Sequence, residues 1–465
     1  MLTKDQAADI FSKLKAYSTA DEIEAIVYGG HSALTRFANN TIHQNVAEEH
    51  YSVSVRTTFS GRTARATTNK FEDHSLQQVV QASEALARVQ EPDAELLPMP
   101  DAREAEVDSD ARQAASTQRH FERTAETTPD ARAHAVEKMV RIAQRHQLTA
   151  AGIFATADSV EGIFNSRGVA RWHRQTSSDI SITMLSANSS GWQKANSPNV
   201  MDLNPEALAE TAARKALESA NPREIPAGKY TVILEPAAVL DIVGFMFYDF
   251  GGLAILDQRS FLNNRVGKRI FGDNINISDD VYHGLQSGSP FDGEGMRRKR
   301  VSLVENGVVK RLVYARGSAA KMSRSEHKAT VGLIGATGHG FPLPNEMGEA
   351  PMNIVFAGPA QAKSVDQMIA GTERGVLVTR LWYIREVDPY EKILTGMTRD
   401  GTFYIENGKL RHGLLNFRFN ESLLHMLSNV EEMSEPVRAS GEESFDMVVP
   451  AMKVREFNFT EVTKF

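Results

Sequence analysis

Apolar residues at Ala7, Ile10, Phe11 and Leu14 recur at helical spacing and predict an amphipathic helix near the start of the chain. The pattern then shifts to alternation, which predicts strands over 23–28, 33–37, 41–46, 51–59 and Arg62–Thr68. A helix follows over 75–89, with Leu76, Val79, Val80 and Leu86 as its apolar positions and Asp73 as its expected N-cap. After a polar stretch, Pro129 opens another helix that runs to about His146. A second set of strands comes next, over 152–157, 161–165, 169–175 and 179–185, and a helix over 206–217 closes it.

The two sets look like copies. Phe37-Ala38-Asn39-Asn40 matches Phe164-Asn165-Ser166-Arg167, and Val53-Ser-Val55 matches Ile180-Ser-Ile182; both matches lie 127 residues apart. This predicts an internal duplication of a strand-rich unit with helices, at about 20–90 and 150–220. Residues 90–129, rich in Ala, Glu, Arg and Asp with prolines at 92, 98 and 100, read as a linker and surface excursion. Pro222 to Gly228 marks the expected boundary between an N-terminal α+β domain, 1–221, and a β-rich domain, 222–465.

Beyond that boundary, 237–248 is mostly apolar and predicts a buried helix. Asn306-Gly307 and Asn407-Gly408 sit between alternating runs, the strongest short hairpin signal because both central residues must adopt φ > 0. The fold class expected is therefore α+β: duplicated N-terminal units with helices, then a largely antiparallel β domain.

Composition narrows the chemistry. The 465 residues include no cysteine, which removes disulfides, thiolate nucleophiles and every zinc site that needs a thiolate. A net charge of −7 disfavours a nucleic-acid surface. No window approaches the roughly 20 apolar residues of a membrane helix, and the start lacks a leader pattern, so a soluble cytoplasmic protein is expected, with no membrane contact.

Motifs are mostly missing. No His-Glu dipeptide occurs, no two of the thirteen histidines are three or four apart, and there is no Gly-x-Ser-x-Gly. His134 and Glu137 share a helical face, as many solvated pairs do. The glycine-rich run from Gly332 to Gly340 lacks the Lys-Ser/Thr ending of a phosphate-binding loop and reads as a flexible rim loop. Arg297-Arg298-Lys299-Arg300 reads as a solvated strand edge. Asp249, Asp257, Glu386 and Asp388 are candidate carboxylates whose pairing is not readable from the chain. The strand 376–384 reads either as core or as an edge lending main-chain hydrogen bonds to an extended peptide. In the second reading His339, Arg380, Trp382 and Tyr383 line a peptide cleft.

Several segments together resemble the TldD/PmbA family, in its PmbA-like (TldE-like) branch. They are 35–44 (Thr-Arg-Phe-Ala-Asn-Asn-Thr-Ile-His-Gln), Arg259 to Leu262, Pro290 to Gly295, Gly375 to Arg380 with Asp388-Pro389, Thr395 to Gly401, Ile405 to Gly408, and Asn416 to Ser422. The resemblance implies a two-subunit metalloprotease acting on small or unfolded peptides. Its TldD-like subunit carries His-Glu-x-x-x-His on a helix plus a cysteine as zinc ligands; the PmbA-like subunit lacks them. Here the corresponding helix, 236–250, has neither the histidines nor the glutamate. The resemblance thus implies no catalytic, cofactor-binding or metal residue in this chain, with zinc in a TldD-like partner and a peptide cleft shaped by both. Two alternatives stand beside it: a stand-alone peptide-binding homodimer, and a hydrolase with a non-zinc site near His339.

Overall fold

The 127-residue offset runs through the whole N-terminal half. Its first unit is α1 (Lys4–Tyr17), β1 (Glu22–Ala38), β2 (Thr41–Phe59), β3 (Arg62–Thr68) and α2 (Asp73–Val89). Its second is α3 (Pro129–Arg145), β4 (Thr149–Asn165), β5 (Ala170–Leu185), β6 (Ser190–Ser197) and α4 (Pro205–Glu218). Thr3 and Thr128 accept backbone N–H bonds at the N-termini of α1 and α3, so each unit starts from a side-chain-capped helix. The structure, a computed structural model, describes residues 1–106, 118–332 and 334–463.

The six strands form one antiparallel sheet in the order β3-β2-β1-β4-β5-β6. β1 and β4 meet at its centre, and His31 pairs with Asp158, its own counterpart 127 residues on. A pseudo-two-fold axis therefore passes through that pair. Phe37 at the far end of β1 packs with Val136, Met139 and Ala212 of α3 and α4. Its counterpart Phe164 packs with Leu14, Leu76 and Val80 of α1 and α2. Each unit's central strand thus completes the other unit's core.

Strands that the pattern divides in two are continuous. β1 runs through Gly29-Gly30, and β2 and β4 through their polar middles. The glycines are not turn residues. They have φ of 148° and 155°, and a Cβ would lie 2.2 Å from the His50 carbonyl oxygen at Gly29 and 2.1 Å from that of Asp158 at Gly30. Only glycine lets the neighbouring backbones come this close. β6 has no clear alternation and was not expected. α2 starts at Asp73, so the cap position falls to Glu72.

The C-terminal half is built on a closed barrel. Strand Gly228–Leu234 pairs in parallel with Arg374–Asp388, which pairs with Ile393–Glu406, then Phe417–Ser422, then Met452–Val462, which returns to Gly228–Leu234. A second sheet of six short strands, from Ile277–Asp279 to Met447–Val449, lies beside it. Among the described strands, pairing is antiparallel apart from the barrel pair just named and Val355 with Val448; two isolated bridges, Arg223 with Leu414 and Gly251 with Val313, are also parallel. Asn306-Gly307 and Asn407-Gly408 take φ of 49° and 74°, and 50° and 72°, as their hairpins require. The apolar run folds as an α-helix only over Pro236–Val243 and tightens to a 3₁₀ stretch over Gly244–Phe250; Ala238 to Val243 are fully buried.

The halves join through Ile26, Ile163 and Val169 of the sheet against Phe291 and Met296. Glu24, buried on that side, accepts from both Arg56 and Arg65, and Arg65 also reaches the Leu343 carbonyl at 2.8 Å. The stretch read as a surface excursion is anchored rather than loose: Met99 and Ala105 are buried, and Asn165 and Arg316 bond the Pro100 and Pro98 carbonyls. Its residues 107–117 lie outside the described residues. The cationic run is a solvated edge only at Arg300, which is exposed just before the strand that starts at Val301; residues 297–299 are half-buried. Arg297 pairs with Glu106, Arg298 with Asn353 and Arg300 with Asp280. Among the described residues, no helix is long and apolar enough to cross a membrane.

Candidate functional site

The 3₁₀ stretch Gly244–Phe250, which continues the buried helix Pro236–Val243, opens onto a cleft of about 620 Å³. Its walls include Phe245, Tyr248 and Phe445, and its floor holds Asp249, Glu386, Lys392 and Glu443. Lys392 stands in the left-handed region, φ 47°, directly before Ile393–Glu406, which turns its side chain back into the protein. Its ammonium lies 2.6 Å from Asp249 Oδ2 and 2.7 Å from Glu386 Oε1. Burial pushes the Asp249 carboxyl above its ordinary range, opposed by Lys392 and by the Phe261 N–H on Oδ1. The ammonium bridges the two carboxylates and offsets part of their negative charge.

Eight residues before Asp249, and more than two helical turns away, Asp241 is fully buried. Its Oδ1 accepts the N–H groups of Glu442 and Glu443 at 3.0 and 2.9 Å, and Oδ2 meets no partner. Burial raises this carboxyl to about 7. A carboxyl pushed toward its neutral form, with one oxygen tied to backbone amides, is a poor metal ligand, because ligation requires the anion. Among the described residues, no three His, Cys, Asp or Glu side chains are placed to hold a metal. The residues of this cleft do not fit a catalytic zinc, which takes about three protein ligands and an open water position.

The four side chains expected to line a peptide cleft are not brought together. His339 is wholly buried in a loop against the second sheet, with Nδ1 2.9 Å from Thr337 Oγ1 and Nε2 2.9 Å from Oδ1 of the sheet residue Asp279. Burial alone would raise Asp279, yet the His339 ring, Arg298 and the Asn353 N–H hold its carboxyl below the usual range. The Thr-His-Asp order resembles a nucleophile relay. Thr337, however, is spent on the Tyr314 backbone, accepting its N–H at 2.7 Å, and solvent does not reach the imidazole. The last residues of the glycine-rich run are thus interior rather than rim, with the Gly340 N–H donating to Asp292; Leu333 lies outside the described residues.

Arg380 is also buried. It is paired with Asp400 and lies with its guanidinium carbon 4.7 Å from the Trp192 ring and 5.5 Å from that of Trp382, so it fastens the barrel to β6. Trp382 faces Arg399 as well. Tyr383 is 52% exposed, stacks with Arg385, and donates its N–H to Glu443, a residue of the cleft floor. The strand carrying it is interior over Gly375 to Val378, where both edges are paired. From Arg380 onward, no strand among the described residues pairs with its second edge.

Sequence reasoning missed Lys392, Glu443, Phe245 and Phe445. Lys392 and Asp249 are 143 residues apart and no local motif marks either, so nothing short of the barrel's closure could have joined them. His134 and Glu137 do meet, 3.4 Å apart on the exposed face of α3, as a solvated pair.

Comparison with known proteins places this geometry. Three family models match in succession: the PmbA/TldA metallopeptidase domain 1 over residues 23–87, its central domain over 110–220, and its C-terminal domain over 227–461. The chain is 23% identical over 344 residues to the metalloprotease PmbA of Escherichia coli O157:H7, covering 71% of each. It is 23% identical over 239 residues to a metalloprotease of Methanocaldococcus jannaschii, covering 50% of this chain and 49% of the other. Its fold matches the crystal structure of TldE from Thermococcus kodakarensis with a TM-score of 0.84 at 17% identity, over 98% of this chain and 100% of that one.

Proposed function

The chain belongs to the PmbA/TldD metallopeptidase family, and from that premise we propose that it is a non-catalytic subunit. In this reading it shapes the peptide cleft of a zinc-bearing, TldD-like partner. The observation that carries it is the cleft beside Pro236–Val243. There a lysine ammonium bridges Asp249 and Glu386, and the nearby Asp241 is held by backbone amides.

What remains suits holding rather than cutting. Phe245, Tyr248 and Phe445 offer apolar walls to side chains, and the unpaired edge after Val378, next to Trp382 and Tyr383, offers backbone groups to an extended peptide. Strand addition of this kind binds with little sequence preference, as processing of varied small or unfolded peptides requires.

The chain should be tagged in its native host and whatever co-purifies weighed and assayed for metal. The expected result is a stoichiometric related chain that bears His-Glu-x-x-x-His and holds the zinc. Zinc bound one per protomer by this chain alone, with zinc-dependent peptide cleavage, would overturn the reading.

A further inference from the structure

One face of the N-terminal sheet is turned toward the C-terminal half, and Ile26 and Ile163 pack there against Phe291 and Met296. Farther along, the same face opens into two cavities of about 320 and 180 Å³. They share Ser32 and Ala157 and so form one groove. Register sets Gly30 beside Ser159 and Ser32 beside Ala157 across β1 and β4, which gives the groove a floor of small side chains. From Tyr28 to Leu34 it runs about 20 Å along the strands, at ~3.3 Å per residue.

The charges on this groove are one-sided. Glu48, Glu161 and Asp179 line it, and among the described residues no lysine or arginine does. Asp158 also borders it, but its carboxylate pairs with Arg174 on the opposite face. Glu161 meets a hydroxyl, that of Ser289, and Glu48 is exposed. At the far end the Lys194 ammonium lies 3.9 Å from Asp179 and 3.7 Å from Glu442, so one cation serves two carboxylates. Burial raises the Asp179 carboxyl to about 6, and Asp446 and Glu442 add to the rise against the pull of Lys194. Glu24 shows the contrast: on the same face it is met by two guanidinium groups. Carboxylates gathered in a cleft without their own cations draw cationic ligands into it.

We infer that this groove holds an extended stretch of peptide bearing Lys or Arg side chains. The inference rests on the peptide-holding reading and carries it from the cleft onto the sheet. The two sites adjoin, because Lys194 also donates to the Gly441 carbonyl at 3.0 Å, and Glu442 is followed by Glu443 of the cleft floor. The small floor lets a backbone lie flat over β1 and β4. Glu48 on β2 and Asp179 on β5 then flank it, within reach of long cationic side chains. The same carboxylates repel an acidic peptide.

The test measures binding of capped peptides to the full chain by fluorescence anisotropy, at about pH 8 so that Asp179 is ionised. One peptide alternates Ser and Arg, a second Ser and Glu, and a neutral third Ser and Phe. The Ser/Arg peptide should bind and the Ser/Glu peptide should not. Glu48→Gln, at an exposed site, should weaken the Ser/Arg peptide about twofold to threefold. Combined with Glu161→Gln and Asp179→Asn, it should do so about tenfold, with the Ser/Phe peptide, whose contacts are the cleft's, unchanged. Thermal melts check the fold of each variant. Amides at Asp9, Glu91 and Asp130, exposed elsewhere, should change nothing, which separates the groove from the general pull of a chain of net charge −7. Ser/Arg binding that the groove variants leave intact, or that the distant amides weaken equally, would overturn the inference, and Ser/Phe binding would leave the cleft reading standing. Failure of all three peptides to bind would overturn both.

Discussion

The two N-terminal units share a skeleton and diverge in what is placed on it. Both have a helix, three strands and a helix at a constant offset, and each sends a phenylalanine into the other's core. The first alone carries the buried Glu24–Arg56–Arg65 cluster, where the second has Ala151, Thr183 and Trp192. The second alone has its outer strand docked by residues 118–121. The duplication therefore keeps what makes the sheet and its cores, and varies what meets the rest of the molecule. Swapping residues between equivalent positions separates these two layers.

Shared features should respond alike. Phe37→Ala and Phe164→Ala each empty a fully packed site, and each should cost about 3–5 kcal/mol in urea unfolding. A large loss at one and a small loss at the other would mean that the two cores are not equivalent. Features confined to one unit should respond unequally. Glu24→Ala leaves two guanidinium groups buried without their carboxylate and should cost about 3–5 kcal/mol. Ala151→Glu, at the counterpart site, has no such partners and should not recover any of it.

Much of this skeleton is legible in the chain. Matched pairs at a fixed offset survive because Phe37 and Phe164 do the same packing job, and Asn-Gly turns because few residues tolerate two successive positive φ values. What the chain hid was long-range. Gly29-Gly30 reads as a break locally, but here answers to two flanking backbones, His50 on one side and Asp158 on the other. The apolar helix after Pro236 was legible as buried. The lysine that balances its acidic neighbour was not, because the barrel's closure alone brings residues 249 and 392 into contact. Likewise, His339 and Arg380 looked like site residues because polar side chains in Gly-rich or aromatic company often are. Each is instead tied to a buried aspartate.

The units should also differ in their response to pH. Asp179 in the second unit is half-buried near Lys194, Glu442 and Asp446, and burial raises its carboxyl to about 6; the first unit has Ser52 there. Below about pH 4 the carboxyl is protonated in both the folded and unfolded chains, and this site imposes no penalty. As pH rises toward 6 the unfolded chain releases its proton while the folded chain retains it, so stability falls. Two pKa units correspond to about 3 kcal/mol. Installing the first unit's residue, Asp179→Ser, should remove that slope, seen as wild-type and variant unfolding midpoints that diverge between pH 4 and pH 6. Parallel curves would show that Asp179 titrates normally.

The smallest effect expected tests the axis. Gly30 corresponds to Ala157, so Gly30→Ala makes the two units more alike in sequence. If local symmetry governed the site, the change would be harmless. The geometry says otherwise. At Gly30 φ is 155°, and the new Cβ would lie 2.1 Å from the Asp158 carbonyl oxygen and 2.8 Å from the Ser159 Cα, both backbone atoms that no rotamer change can move aside. The sheet would have to open where its two central strands meet, at a cost of about 1–3 kcal/mol. Ala157 pays nothing comparable, since its φ is not in the positive range. A neutral Gly30→Ala in urea unfolding would mean that β1 and β4 can slide apart at the axis, and that the close approach there is not what holds the units in register.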